Sequence, residues 1–165
     1  MTYQDKPTAT IRAALKALLN GNLGAGVLFY DHMPPPGARA PCVVMQHIAG
    51  TTSEVAIGEL VDSDVKGHDV TAVFQFDVYH STPEGRDVLV DLVLHKIWDA
   101  REWFKDGYGI EVSPAGRLQD LPPGETGERL YRKSFDMPFT ITMTKTAGLP
   151  LDFVFALPEG TGDLT

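Results

Sequence analysis

From residue 131 to residue 143 apolar and polar side chains take turns along the chain. Tyr131, Phe135, Met137, Phe139, Ile141 and Met143 fall on one side, and Arg132, Ser134, Asp136, Thr140 and Thr142 on the other. A period of two marks a half-buried strand, because successive side chains of an extended backbone point to opposite faces. Pro138 has no N–H for a ladder, so it predicts an edge or a bulge. Val70 to His80 alternates in the same way, with Phe74, Phe76 and Val78 set against Gln75, Asp77 and Tyr79. In both strands the apolar side reads as core, and the mixed side needs another occupant. Shorter strands are read at Val27–Tyr30 and Cys42–Ile48.

Two segments carry the helical period instead. Ile11, Leu15, Leu18 and Leu19 form one apolar stripe, with Thr8 or Thr10 as its cap. Asn20-Gly21 is its stop, since both residues tolerate a left-handed backbone. The second helix starts after His80: Ser81 and Glu84 have capping-box spacing, and Pro83 suits a first turn where its missing N–H would be unpaired anyway. It is expected to run to about Lys105 and to end at Asp106-Gly107. Leu89, Val90, Leu92, Val93, Leu94, Ile97, Ala100 and Phe104 cover roughly 200° of its circumference, about twice what packing on one sheet requires. The excess predicts a flank that other copies of the chain cover.

The intervening stretches are less regular. Residues 31–41, DHMPPPGARAP, hold three consecutive prolines and read as a stiff, extended loop. Residues 49–69 are acidic and punctuated by glycine, with a hairpin expected around Val55–Val61; loops of this length inside a compact domain are uncommon and often functional. Residues 106–129 are rich in Gly and Pro. Near the end lies one apolar island, LDFVFAL, of a kind that adds a strand to a neighbour's open sheet edge. The order of elements predicts an α+β fold. Residues 1–145 would form a single domain, a mostly antiparallel mixed sheet with two helices packed on one face and a long acidic loop. Residues 146–165 would form an extended C-terminal arm.

Composition removes several classes of function. The 165 residues suffice for one domain with a proper core. A net charge of −8, with no basic stripe, argues against a dedicated nucleic-acid binder. Cys42 is the single cysteine, which excludes an internal disulfide and a cysteine-based metal cluster; it reads as a small buried hydrophobe. His32, His47, His68, His80 and His95 form no pair with zinc-ligand spacing. DSDVKGHD imitates the start of a calcium loop, but Lys66 and Val73 stand where oxygen ligands belong. The glycines of NGNLGAG follow a helix, whereas a phosphate loop follows a strand. There is no GxSxG elbow. Trp98, Trp103 and Phe104 sit beside leucines at helical spacing and read as packing. The expectation is a protein that is not an enzyme, with no catalytic residue, cofactor or metal. No basic segment followed by an apolar run opens the chain, and no apolar stretch approaches the ~20 residues that cross a bilayer. A soluble protein made in the cytoplasm, with no membrane partner, is therefore expected.

Taken together, TIRAALKALLN, PCVVMQHI, VFQFDVYHSTPEGRDVLVDLVLHKIWDA and YRKSFDMPFTITM resemble the tail terminators, or tail-completion proteins, of long-tailed bacteriophages. The most characteristic part is a strand ending in FDVY followed at once by a capped helix. The resemblance implies a structural virion protein: a homo-hexameric ring that ends the tail tube and joins it to the head–tail connector of the neck. Its central channel would pass DNA without binding it specifically. The implied partners are further copies of the chain, the tube protein and the connector, and the implied place is the virion, after assembly in the host cytoplasm. On this reading the subunit interface is expected at Gln75, Asp77, Tyr79, Val90, Leu94 and Trp98, with Leu151, Phe153 and Phe155 from the arm. Glu54, Glu59, Asp62 and Asp64 of the acidic loop are expected to face the channel or the tube, where negative charge repels DNA phosphate. Three alternatives stay open: another neck or head-completion protein of the same virion, a small-ligand-binding α+β protein, and a small hydrolase or transferase using His80 and His95.

Overall fold

A computed structural model describes residues 7–35, 38–48, 53–59, 65–122 and 130–146. In chain order the elements are α1 (Pro7–Leu19), β1 (Leu28–Tyr30), β2 (Cys42–His47), β3 (Ser53–Glu59) and β4 (Val65–His80), then α2 (Pro83–Asp99), α3 (Arg101–Tyr108), β5 (Ile110–Val112), β6 (Gln119–Leu121) and β7 (Tyr131–Thr146). The strands form one mixed sheet in the order β1-β2-β4-β7-β5, with β3 beside β4 and β6 beside β7. β1 and β2 run parallel, and the other pairs are antiparallel. This is the expected α+β class, with the helices on one face.

The two long alternating strands are the spine. β4 and β7 pair from Val65↔Thr146 to His80↔Tyr131, a register that brings their apolar positions opposite one another: Val70↔Ile141, Ala72↔Phe139, Phe74↔Met137 and Phe76↔Phe135. All eight are buried, and Val43 and Met45 of β2 extend the same surface. Phe76 and Phe135 stack at 5.2 Å, and Phe74 meets Phe139 edge-on at 6.0 Å. Ile11, Ala14, Leu15 and Leu19 of α1, Leu89, Val90, Val93 and Ile97 of α2, and Phe104 of α3 close this core from above.

The helical segment after His80 departs from expectation in four ways. The cap is Thr82, not Ser81; its hydroxyl accepts from the Gly85 N–H at 3.2 Å. His80 Nδ1 accepts the Thr82 N–H at 3.1 Å. Its ring lies so close to Gly85 that a Cβ there would fall 2.1 Å from it, which explains a glycine in a first turn. Then the helix bends at Ala100 (φ −83°, ψ 5°), giving two helices where one was expected and three among the described residues. The bend sets Phe104 against Phe139, with ring centroids 6.1 Å apart, and the stop is Gly109 in the left-handed region, not Asp106-Gly107. Finally, the broad apolar arc is covered largely from within. α1 packs beside α2 and α3, so Leu89, Val90, Val93, Ile97 and Phe104 are buried, and Leu92, Leu94 and Ala100 are partly so. The arc is wide because the helix touches a sheet and another helix; most of it needs no second copy.

Smaller differences have similar causes. α1 begins at Pro7, which places Thr8 and Thr10 inside the helix rather than at its cap. β4 begins at Val65, because β3 pairs with its first half as one side of the expected hairpin. Within the stretch read as loop, β5 and β6 line the outer edge of β7. Pro138 sits where that edge pairing breaks: Ser113 N–H still donates to its carbonyl at 3.1 Å, but the imide nitrogen has nothing to give in return.

Candidate functional site

The face of the sheet turned away from the helices carries the mixed positions of the spine strands. Register places Val44 opposite Asp77, Gln46 opposite Gln75, and Cys42 opposite Tyr79 on one side. On the other side Ser134, Asp136 and Arg132 oppose Asp77, Gln75 and Tyr79. Asp77 is the hub, only 2 % exposed. Its carboxylate accepts from Arg132 Nη2 at 2.9 Å, from Gln75 Nε2 at 3.0 Å and from Gln46 Nε2 at 3.4 Å. The Arg132 guanidinium also lies over the Tyr79 ring, 5.5 Å from its centroid. Burial pushes the Cys42 thiol up to about 11, so it stays protonated and unreactive. Burial, and then the charge of Asp77, raises the Asp136 carboxyl above its ordinary value. Farther along, Thr142 donates to Asp69 at 2.7 Å, and the Thr71 and Thr140 hydroxyls meet at 2.8 Å.

Gln75, Asp77 and Tyr79 therefore do come together, but Asp77 is committed to its partners inside the chain. Val90, Leu94 and Trp98 lie on the opposite, helical side. Val90 is 1 % exposed and belongs to the core, Leu94 is half-buried, and Trp98 is exposed. A single flat contact cannot take both sets. Glu54 and Glu59 fall on β3, opposite Val70 and Lys66; Asp62, Asp64, Leu151, Phe153 and Phe155 lie outside the described residues. The sequence reading missed Arg132, although the alternation of β7 put it on the mixed side. It also missed a charged staple at the start of α2. Arg86 reaches Asp87 at 2.9 Å and Asp120 at 3.0 Å, and Lys133 reaches Asp87 at 2.7 Å, which ties the helix to β6 and β7.

Among the described residues no group of three or more His, Cys, Asp or Glu side chains could hold a metal. None of the described helices is long and apolar enough to cross a membrane. What remains is a half-open sheet face bound into a polar network, together with exposed tryptophans at the helix bend.

Comparison with known proteins gives this geometry its context. The chain belongs to the phage neck terminator family, whose model, described as phage neck terminator protein, matches residues 9–162. It is thus a tail-terminating structural protein of the virion. Among solved structures, it is similar to a sheath/tube terminator of the extracellular contractile injection system PVC in its extended state. Identity is 16 % and the TM-score 0.42, over 96 % of this chain and 65 % of that one, so the chain spans about two thirds of that relative's length. A second likeness is to a chain of the virion of a native gene transfer agent particle, at 15 % identity and TM-score 0.36, over 85 % of this chain and 90 % of that one. Likenesses this distant carry no argument of their own. No curated protein matches the chain.

Proposed function

We propose that copies of this chain close into a ring, most simply a hexamer, which ends the tail tube and offers the head–tail connector its docking surface while DNA passes through the centre. The observation that carries this reading is the family match along nearly the whole chain, residues 9–162. Two physical features support it. A contact between unlike surfaces of identical chains repeats until the rotation closes, and this chain has unlike surfaces: a mixed sheet face and a helical face with exposed Val88, Trp98 and Trp103. A net charge of −8 also suits a conduit that must not retain DNA.

Within the ring, Gln75 and Tyr79 on the sheet face and Leu94 and Trp98 on the helical side are proposed subunit contacts, with Leu151, Phe153 and Phe155 of the arm added to a neighbour. Glu54, Glu59, Asp62 and Asp64 are proposed to face the bore or the tube. Electron microscopy of the native particle tests the reading directly: a ring between tube and connector is expected, and a position anywhere else overturns it. Reversing Glu59, Asp62 and Asp64 to Lys is expected to slow DNA ejection, and unchanged ejection removes the loop from the bore. Deleting residues 147–165 is expected to leave a folded domain that assembles poorly, read by circular dichroism and light scattering.

A further inference from the structure

The outer side of α1 forms a groove with the loop that follows β1. Arg12 Nη1 donates to the Asp31 carbonyl, and its guanidinium lies over the Phe74 ring at 5.7 Å. Lys16 Nζ sits 3.0 Å from Asp31 Oδ2. The groove encloses about 600 Å³, lined by Pro7, Thr8, Ala9 and Ala13 together with Arg12 and Lys16. The small side chains leave room for a flat ring. Arg12 and Lys16 bring two positive charges to the one carboxylate of this groove, Lys16 bound to Asp31 Oδ2 and Arg12 to the Asp31 backbone carbonyl, so the groove is locally positive on a chain whose net charge is −8.

A matching surface lies at the bend between α2 and α3. α3 packs against β5, at the opposite end of the sheet order from β1. Trp98 and Trp103, at the bend between α2 and α3, are each 41 % exposed. Arg101 already covers Trp98, with its guanidinium 5.3 Å from the ring centroid. Trp103 instead leans on Phe104 and Tyr108, at 5.0 and 5.1 Å, which fixes its ring while a large part stays in solvent. Asp99, Glu102, Lys105 and Asp106, its neighbours in the chain, are exposed, and Glu102 Oε1 lies 3.8 Å from Arg101 Nε, a loose surface pair that a closer cation can replace.

We infer that the α2–α3 bend of one copy docks in the α1 groove of the next, with the Trp103 indole entering beside Arg12 and Lys16 and Glu102 pairing with Lys16. This rests on the ring reading above and names the two surfaces that make the ring close. An indole face attracts a cation, and Trp with Arg is the composition of interface hot spots. One aromatic side chain buries ~150–250 Å², a minor share of the ~800 Å² per partner of an ordinary interface. Trp103 is thus the anchor of the contact and not its whole area. The two patches are unlike surfaces of the same chain, so the contact is head-to-tail, the kind that generates rings.

The test uses the full chain, followed by sedimentation velocity and by occupancy of isolated tail-tube ends, with circular dichroism as a folding control. Trp103→Ala is expected to weaken self-association about tenfold or more. Lys16→Glu and Glu102→Lys are each expected to weaken it, and the two together to restore most of the loss, which a merely structural role for either residue would not do. If Trp103→Ala and Lys16→Glu assemble at wild-type concentrations, this pair of surfaces is overturned and the ring reading stands. If the wild-type chain assembles neither in solution nor at tube ends, the ring reading itself falls, and this inference with it.

Discussion

The two faces of β4 and β7 are made by the same thirty-odd residues and are built on opposite principles. On the helical face every position from Val70 to Val78 and from Phe135 to Ile141 is apolar, and none is more than 2 % exposed. On the other face Asp77 and Ser134 are buried and most of their neighbours half-buried, held by an ion pair, amide donors and paired hydroxyls. Apolar burial is non-directional, so the first face needs only the right volume. Hydrogen-bonded polar groups demand their particular partners, so the second face keeps one fixed shape while part of its surface stays available. The difference gives the packing of the core to one face and leaves the other partly open, the surface on which Gln75 and Tyr79 are proposed as subunit contacts.

The largest effect should come from the apolar face. Phe74→Ala removes a fully buried ring that touches Phe139 and His47 and lies beneath Arg12. It is expected to cost about 3–5 kcal/mol in urea unfolding, enough to unfold a marginal domain. Next comes the hub of the mixed face. Asp77→Ala strands Arg132 and should cost about 2–3 kcal/mol, less than a fully buried pair because the Arg132 side chain is 31 % exposed. Asp77→Leu combined with Arg132→Met should cost less than Asp77→Ala alone, since neither charge is then left behind. A double variant as unstable as the single one would show that this face needs its charges to fold, and the division of labour would fail.

How much of this was legible in the sequence follows from range. The period of two in residues 70–80 and 131–143 is local, and it placed both spine strands and the correct side of each. The partnership of Asp77 with Arg132 depends on the register between strands 55 residues apart, which neither strand encodes alone. β5 and β6 are three residues long, too short for any period to emerge. The bend at Ala100 falls on a residue with the best helix propensity, so nothing local announces it; packing of Phe104 decides. The broad apolar arc was visible, but the sequence could not say that α1 would cover it. For the same reason the α1 groove stayed hidden, since it joins a helix to a loop beyond the next strand.

A smaller effect sharpens the comparison at the far end of the mixed face. Thr140→Val leaves the Thr71 hydroxyl without the partner it has at 2.8 Å. Both groups are only part-buried, so water can replace the bond, and the expected loss is about 0.5–1 kcal/mol. A loss as large as that from Asp77→Ala would mean that this end of the face is sealed as tightly as the core.

The smallest expected effect has the opposite sign. Burial, then the Asp77 charge, raises the Asp136 carboxyl above 3.8, so the folded chain binds this proton more readily than the unfolded one. Its contribution to stability is complete below 3.8 and is lost as pH rises through the higher folded value. At neutral pH the ionised Asp136 therefore works against folding. Asp136→Asn should melt slightly higher than wild type at pH 7, with the gain vanishing on acidification below 3.8. Asp87, held low by Lys133 and then Arg86, follows the reverse rule: its contribution is present above 3.8 and is lost as pH falls through its depressed value, so Asp87→Asn should melt lower at pH 7. Thermal melts across pH separate the two. An Asp136→Asn chain that melts below wild type at pH 7 would mean that the carboxylate is an integral partner in a closed network, and the mixed face would then be a second core rather than a surface kept open for assembly.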